Sequence, residues 1–590
     1  MNFLAVDRLF SRVLHYDAAT GRSRIEEFGA RAEHLGGSGL AAALYESMQL
    51  SHLPADAEEQ PIIFAVGPLT GLFPMMSKCV CAFRSPYTGE WTESHAGGRL
   101  ALSLHFAGYD ALVITGRAAE LSCLIVGGRM IKIVPVPFLR GADVFRTGKY
   151  LRRLVSGVSG HRSTMRIGPA GERGVAYACI NVDSFRHFGR LGSGAVLGAK
   201  NIKGIQIIGD ASYALPGGKA YPALVKDLHA RVTATPLMRK YHDLGTAENL
   251  EPLNEIKALP WRNLQRTTDP GIGALTGERM AEDLLLRQSA CSGCPVGCIH
   301  IALLREQFGP EHDYLYKQVP YDYEPLFSLG TMLHVTDPSR VLTLMDETEK
   351  SGLDCMSAGV ALAWAAEAFE KGLISEKETL VPLAFGEWQG FATALRHLAE
   401  RANDFYTALG RGALAAAREY GGEDFACVLG QEMAGYATGE VFFVAQALGF
   451  RHSHLDNGGY SYDQSAKDKN AEAAVDYLVK DETARVQLNC MVSCLFARKL
   501  YSLETLRECL ASLGLDETAS SLAASAERMR DLRWKLKCDT GFDPRKAVIP
   551  KRFSEVVTWK GGIDQDYLRA VKEGYSAAIL AMAGRGPEEP

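Results

Sequence analysis

Three cysteines stand near the midpoint of the 590-residue chain, in Cys291-Ser-Gly-Cys294-Pro-Val-Gly-Cys298. Two glycines and a proline make this a tight loop whose thiols converge, and soft thiolates at such spacing suit an iron–sulfur cluster or zinc. Either needs a fourth ligand from elsewhere. A two-residue gap followed by a three-residue gap reverses the usual radical-enzyme spacing, and His300 follows too soon for a zinc finger. The motif reads first as an iron–sulfur site, with structural zinc and unligated core thiols as alternatives.

A second chemistry is proton transfer. Glu324 sits among Tyr323, Pro325, Leu326 and Phe327, and burial in such a setting raises the pKa of a carboxyl. The bland alternative is a glutamate salt-bridged at a helix start. His452 and His454, beside Arg451 and Asp456, make a polar patch suited to titration near neutrality, although a buried histidine is more often a satisfied core residue.

A third is anion binding. Leu35-Gly-Gly-Ser-Gly-Leu40, Val66-Gly-Pro-Leu-Thr-Gly71, Ser94-His-Ala-Gly-Gly-Arg99 and Gly189-Arg-Leu-Gly-Ser-Gly-Ala-Val-Leu-Gly198 place glycines where side chains would obstruct a ligand. Glycine permits positive φ and exposes N–H groups to phosphate-like oxygens. Each segment alone is an ordinary turn. Together, interleaved with Lys78, Arg84, Arg99, Arg186 and Arg190, they point to a large anionic cofactor. None has the dinucleotide or Walker-A pattern.

The elements that must position these residues follow from composition and periodicity. Hydrophobic residues at 47% and charged residues at 23% are those of a globular protein, long enough here for two to four domains. A net charge of −5 leaves no basic excess for nucleic acid. The 13 cysteines show no disulfide rhythm, which suits a reducing compartment. With no apolar run of roughly 20 residues and no Sec-type leader, the expectation is a soluble, cytoplasmic protein without a membrane span.

Short apolar runs at Pro61–Val66, Ala111–Thr115, Leu121–Val126, Ile131–Val136 and Gly204–Ile208, bounded by Gly, Pro or Asp, predict strands. Spacing of the 3.6 type predicts helices over Ala220–Lys240, Pro338–Lys350, Ala358–Lys371, Glu387–Ala402, Ala413–Tyr420 and Ala471–Asp481. The fold class is therefore α+β. A sheet-rich base over 1–210 precedes two mostly helical domains, 211–415 with the cysteine loop and 416–590. The tail, Ala583–Pro590, is expected to fray.

With these residues in place, the chain resembles the tungsten-dependent aldehyde:ferredoxin oxidoreductase family over nearly its whole length. The matching pieces are Ser85-Pro-Tyr-Thr-Gly89, Ser94-His-Ala-Gly-Gly98, Phe106-Ala-Gly-Tyr-Asp-Ala111, Ile167-Gly-Pro-Ala-Gly-Glu172 and Gly189–Lys203. The cysteine loop, Tyr323-Glu-Pro-Leu326, Ser351-Gly-Leu-Asp354 and Cys494 complete them. The resemblance implies tungsten or molybdenum held by two pterins, Mg2+ joining their phosphates, and a [4Fe–4S] cluster. It also implies a sheet base under the cofactor with two helical domains closing over it.

Carried over by position, Cys291, Cys294, Cys298 and Cys494 ligate the cluster, with Cys490 as the substitute for the fourth. The fourth cysteine ends a D-x-x-G-L-C motif that here reads Asn489-Cys-Met-Val-Ser-Cys494, so the pterin contacts of Asn489 and Ser493 depart from the pattern. The companion D-x-x-G-L-D motif reads Glu349-Lys-Ser-Gly-Leu-Asp354. Glu349 and Asp354 would accept pterin N–H groups, with Gly352 and Leu353 letting the ring approach; an ordinary glycine-capped helix end is the alternative. Lys78, His95, Ala96, Gly97, Gly98, Arg186, His187 and Arg190 fall at phosphate and Mg2+ positions. Glu324 matches the catalytic glutamate, and His454, or else His452, stands in for the family's histidine from a remodelled loop.

The reading is an oxidoreductase converting an aldehyde to a carboxylic acid, with electrons leaving through the cluster to ferredoxin or an iron–sulfur partner subunit. The resemblance implies a homodimer or a subunit of a larger redox complex. A reductive enzyme acting on a carboxylic acid, thioester or aromatic ring is the alternative within the fold. A non-catalytic electron-transfer or scaffold subunit is the alternative from another class, and the altered Asn489–Cys494 motif is what favours it.

Overall fold

The five apolar runs become strands of two six-stranded sheets, and the chain beyond them is mostly helical, an α+β fold. The computed structural model describes residues 3–586. The first sheet orders its strands Ser23–Ala30, Phe10–Asp17, Ala111–Thr115, Ile62–Ala65, Cys79–Arg84 and Trp91–Ala96. The second runs Arg186–Phe188, Ile180–Val182, His161–Arg166, Ile202–Gly209, Ser122–Gly127 and Ile131–Pro135.

Alternate residues decide what each face of the first sheet meets. Phe64, Cys81, Leu112 and Ile114 pack against Val126, Met165, Ile205 and Ile207 of the second sheet. Ile63, Ala65 and Val113 point the other way, onto Leu478, Trp534 and Val571 of the C-terminal helices. Both faces are covered, so these strands read as apolar runs without polar alternation. The edge strands Trp91–Ala96 and Arg186–Phe188, one from each sheet, lie side by side. That corner carries His95, Arg186 and His187.

The helices follow the predicted spacing with two informative departures. Ala220–Lys240 is two helices, Ala220–Ala234 and Pro236–Asp243. Thr235, extended because a proline follows, caps the second by accepting from Met238 N–H. The helix expected over Ala471–Asp481 continues to Cys490 and so delivers the turn that ends at Cys494.

The region read as mostly helical also holds a three-stranded antiparallel sheet, Leu285–Ser289, Ile299–Gly309 and Asp313–Tyr321. Its long hairpin pairs His300 with Tyr321. Cys298 therefore enters the hairpin at the same end from which Asp322 and Glu324 leave it. This is the mechanical link between the thiols and the carboxylates.

The described part of the expected frayed tail is docked instead. Ala583 caps the helix Gln565–Met582, and Arg585 reaches Asp539 at 3.0 Å. Residues 587–590 of that segment lie outside the described residues. Among the described residues no helix is long and apolar enough to cross a membrane.

Candidate active site

One backbone segment gathers the four thiols. Met75 donates its N–H to the Gly293 carbonyl at 3.1 Å, and its own carbonyl accepts from Cys494 N–H at 3.0 Å. Met75 thus clips the cysteine loop to the turn after Cys490. Lys78 N–H reaches the Val492 carbonyl, Met76 pairs with Ser493, and Ser292 N–H donates to the Gly98 carbonyl.

Gly97 completes the cradle, because a Cβ there would stand 2.5 Å from Cys291 Sγ and 3.4 Å from Lys78 Nζ. Burial pushes the Cys291 thiol up, but Lys78 and Arg186 outweigh it and hold Cys291 below its ordinary value. Cys490 is buried with its sulfur toward Gly39 and does not line the cavity, whereas Cys494 does. Among the described residues no group of three or more Cys, His, Asp or Glu closes on a point fit for a single metal ion. Four thiols on one cavity wall are a donor set that suits soft metal chemistry, an iron–sulfur cluster or zinc.

The thiols open into a cavity of about 400 Å³. Lys78, His95, Arg186, His187, Arg190, Glu324, Glu349, Leu353, Asp354, His454 and Ser493 also line it. Arg186 Nε and Arg190 Nη1 are buried without a hydrogen-bond partner. Orphaned guanidinium donors on a cavity wall are expensive unless an anion meets them, so the donor set fits a phosphate-bearing cofactor. The remaining polar groups of this wall are bonded across to the helical region. His187 Nε2 donates to Glu349 at 2.7 Å, and Asn181 Nδ2 to the same carboxylate at 3.0 Å. Arg190 Nε donates to Asp354 at 3.1 Å and Arg190 Nη2 to the Glu432 carbonyl at 2.7 Å. His95 meets Glu93 at 3.1 Å, which Arg533 holds at 2.7 Å.

Glu324 lies in the first turn of a short helix, Tyr323–Leu326, that runs into one π-helical turn, Phe327–Thr331. His454 Nε2 is 3.2 Å from Glu324 Oε1. Burial would raise Glu324, but the hydrogen bond and charge of His454 outweigh it, and the carboxyl sits below its usual value. The expected raised carboxyl is instead Asp322, lifted first by burial and then by Glu324. Asp322 was not among the residues singled out from the sequence; its position at the hairpin exit, two residues before Glu324, was the signal. Its Oδ1 and His454 Nδ1 are both buried without partners.

Several sequence expectations are corrected. His452 does not line the cavity. A positive φ of 50° turns it into the core, where Nδ1 meets the Ala447 carbonyl at 3.0 Å and Lys537 Nζ approaches Nε2 at 3.3 Å. Arg451 and Asp456 pair with each other at 2.6 Å and fold that loop. Asp354 caps the helix Cys355–Glu370. Gly352 is the left-handed cap of Pro338–Ser351, and its absent Cβ faces Gly168 N at 2.7 Å, not the cavity. Ala96 and Asn489 lie behind the wall. Most glycine segments serve backbone contact: a Cβ on Gly37 would meet the Asn489 carbonyl at 2.1 Å, and one on Gly198 the Gly171 carbonyl at 2.0 Å. Of those segments, Gly97 and Gly98 border the thiols and Gly189 lines the cavity.

Comparison with known proteins agrees with this architecture. The family described as "Aldehyde ferredoxin oxidoreductase, N-terminal domain" matches residues 13–209, and "Aldehyde ferredoxin oxidoreductase, domains 2 & 3" matches 223–581. The chain is 28% identical over 571 residues to the tungsten-containing aldehyde ferredoxin oxidoreductase of Pyrococcus furiosus, covering 92% of this chain and 91% of that one. It is 26% identical over 363 residues to the "Aliphatic sulfonate oxidoreductase, WOR-like subunit" of the same organism, covering 58% and 56%. A solved complex, BamBC of benzoyl coenzyme A reductase with 1,5-dienoyl-CoA, shares the fold with a TM-score of 0.80 at 18% identity, over 99% of this chain and 95% of that one. The two family matches together span most of the sequence, and the chain belongs to the aldehyde ferredoxin oxidoreductase family.

Proposed function

We propose that the protein oxidises an aldehyde to a carboxylic acid with a tungsten- or molybdenum-pterin cofactor, sending the electrons to ferredoxin or an iron–sulfur partner subunit. The observation that carries this reading is the Glu324–His454 pair in the same cavity as four thiols and two arginines that each keep an unpartnered donor. When bound, the pterin metal supplies the two-electron oxidation. Cys291, Cys294, Cys298 and Cys494 would hold a [4Fe–4S] cluster. Lys78, Arg186 and Arg190 would meet pterin phosphates, with the Arg186–His187 backbone near Mg2+.

Aldehyde plus water yields acid, two electrons and two protons. The chain must therefore accept protons. An ionised carboxylate only accepts hydrogen bonds, so His454 donates from Nε2 to Glu324 and fixes its orientation. Glu324, held ionised, takes a proton, while Asp322, pushed the other way, holds one; environments that drive two carboxyls apart separate the base from the acid. The altered Asn489–Cys494 motif is what favours a scaffold subunit, but such a subunit would need neither Glu324 nor its His454 partner in the cavity.

The test is anaerobic protein given an aldehyde and benzyl viologen. The proposal expects dye reduction with stoichiometric acid. Metal-loaded protein that reduces no dye with any aldehyde would overturn it.

A further inference from the structure

One end of the cavity is built differently from the end that holds the thiols. Tyr241 stacks on Phe496 with centroids 3.8 Å apart, and Tyr436 stacks on Tyr460 at 5.0 Å. Tyr436 and Tyr460 in turn lie 5.1 and 6.3 Å from the His454 ring. All four aromatic rings line the cavity, and Leu455 beside them is 38% exposed. Tyr460, Phe496 and Arg498 are half-buried there. This is the mouth, and it leads past Tyr436 to Glu324 and His454.

Arg498 is the charge at this mouth. Its Nη1 donates to the Leu495 carbonyl at 3.1 Å, its guanidinium is hydrogen-bonded to Tyr241, and Tyr460 lies within reach of its charge. Among the described residues it forms no ion pair. Asp481, whose charge also reaches it, is committed to Arg485 at 2.6 Å. Phenol rings bind flat apolar groups, and a guanidinium fork not committed to an acid binds oxyanions in its plane.

We infer that Arg498 is a specificity-determining residue, and that the substrate is an aldehyde with an aromatic body and an oxyanion, carboxylate or sulfonate, remote from its carbonyl. This rests on the aldehyde reading of the site. The aromatic walls would orient the ring and Arg498 would hold the anionic end, leaving the carbonyl toward Glu324.

The experiment compares 4-formylbenzoate and 4-formylbenzenesulfonate with benzaldehyde on the metal-loaded enzyme and on Arg498→Met and Arg498→Lys. In the unaltered enzyme, at least one anionic aldehyde is expected to exceed benzaldehyde by about tenfold in kcat/KM, the size of one charge-assisted contact. Arg498→Met should erase that ratio, chiefly through KM, and Arg498→Lys should restore part of it. No preference in the unaltered enzyme, or a ratio that Arg498→Met leaves intact, would overturn the inference. So would a variant whose only change is the reduction potential of the iron–sulfur centre, because Arg498 would then serve Cys494 and not the substrate. If none of the three is oxidised while another aldehyde still reduces the dye, the inference is overturned and the aldehyde reading stands. If no aldehyde reduces the dye, the aldehyde reading has failed, and calorimetric binding of the same compounds decides: an anion preference that Arg498→Met abolishes upholds the anion site, and equal binding refutes it.

Discussion

The two walls of the cavity are built on opposite principles. On the sheet side, Arg190, His187 and His95 stand on or beside edge strands, and each is bonded to a buried acid, Asp354, Glu349 and Glu93 respectively; the donors left open there, Arg186 Nε and Arg190 Nη1, are ones an anion would meet. On the loop side, Asp322 and His454 keep buried polar atoms with no partner. Charge paired across a wall holds a fold together, while polar atoms left open at the cost of desolvation mark where a ligand is held or chemistry is done. Substitutions on the two walls should therefore fail in different ways, one in stability and the other in turnover.

The largest expected effect is on the loop side. Glu324→Gln should lower kcat by about a hundred- to ten-thousand-fold, the range for a lost general base, with the melting temperature and iron content kept. Retained activity would remove Glu324 from proton transfer. On the sheet side the counterpart is Arg533→Met. Arg533 and Glu93 are both 2% exposed, and breaking such a buried pair costs about 3–5 kcal/mol. The expected result is a lower midpoint in denaturant, and an unchanged midpoint would erase the distinction between the walls.

Next comes the pH profile. Asp322 holds its proton above the ordinary range, so kcat/KM should fall by about tenfold per pH unit once that proton is lost. Asp322→Asn should remove this alkaline limb; a profile of unchanged shape would assign it to another group.

Stability should vary more gently with pH. Glu482 and Asp463, both raised by burial to about 7, bind protons more tightly folded than unfolded. Their contribution is full below the unfolded values of 4.5 and 3.8 and is lost as pH rises through about 7. His34, lowered by burial to about 4, contributes above its unfolded 6.5, and that contribution is lost as pH falls toward 4. The melting temperature should peak between these limits, and a monotonic curve from pH 4 to 8 would contradict the assignment. The smallest effect belongs to His452→Gln, a core change expected to cost about 1–3 kcal/mol with little change in the specific activity of folded protein.

Much of this contrast was legible in the sequence where local pattern decides. Cysteine spacing and the apolar runs of both sheets needed no knowledge of distant contacts, whereas the raised carboxyl expected at Glu324 was displaced to Asp322 by a distant partner, His454. What failed was long-range. The glycines at 36, 37, 67, 194 and 198 looked like ligand loops, yet what each avoids is another stretch of backbone hundreds of residues away or just across a helix. His452 and His454 are two residues apart and similar in composition, and only the positive φ at His452 sends one to the core and leaves the other at Glu324. The hairpin Ile299–Tyr321 was hidden by its long exposed tip, although Gly309-Pro310 marks its turn. Arg498 had no motif at all; its meaning comes from Tyr241, far away in the chain.

The central claim is that these two walls enclose a pterin metal beside an iron–sulfur cluster. It is tested most directly by elemental analysis for W, Mo, Fe and Zn on protein purified without oxygen. The account predicts about one tungsten or molybdenum and about four irons per chain, as expected for one mononuclear site and one cubane. About one zinc with neither heavy metal nor iron, in well-folded protein, would contradict it.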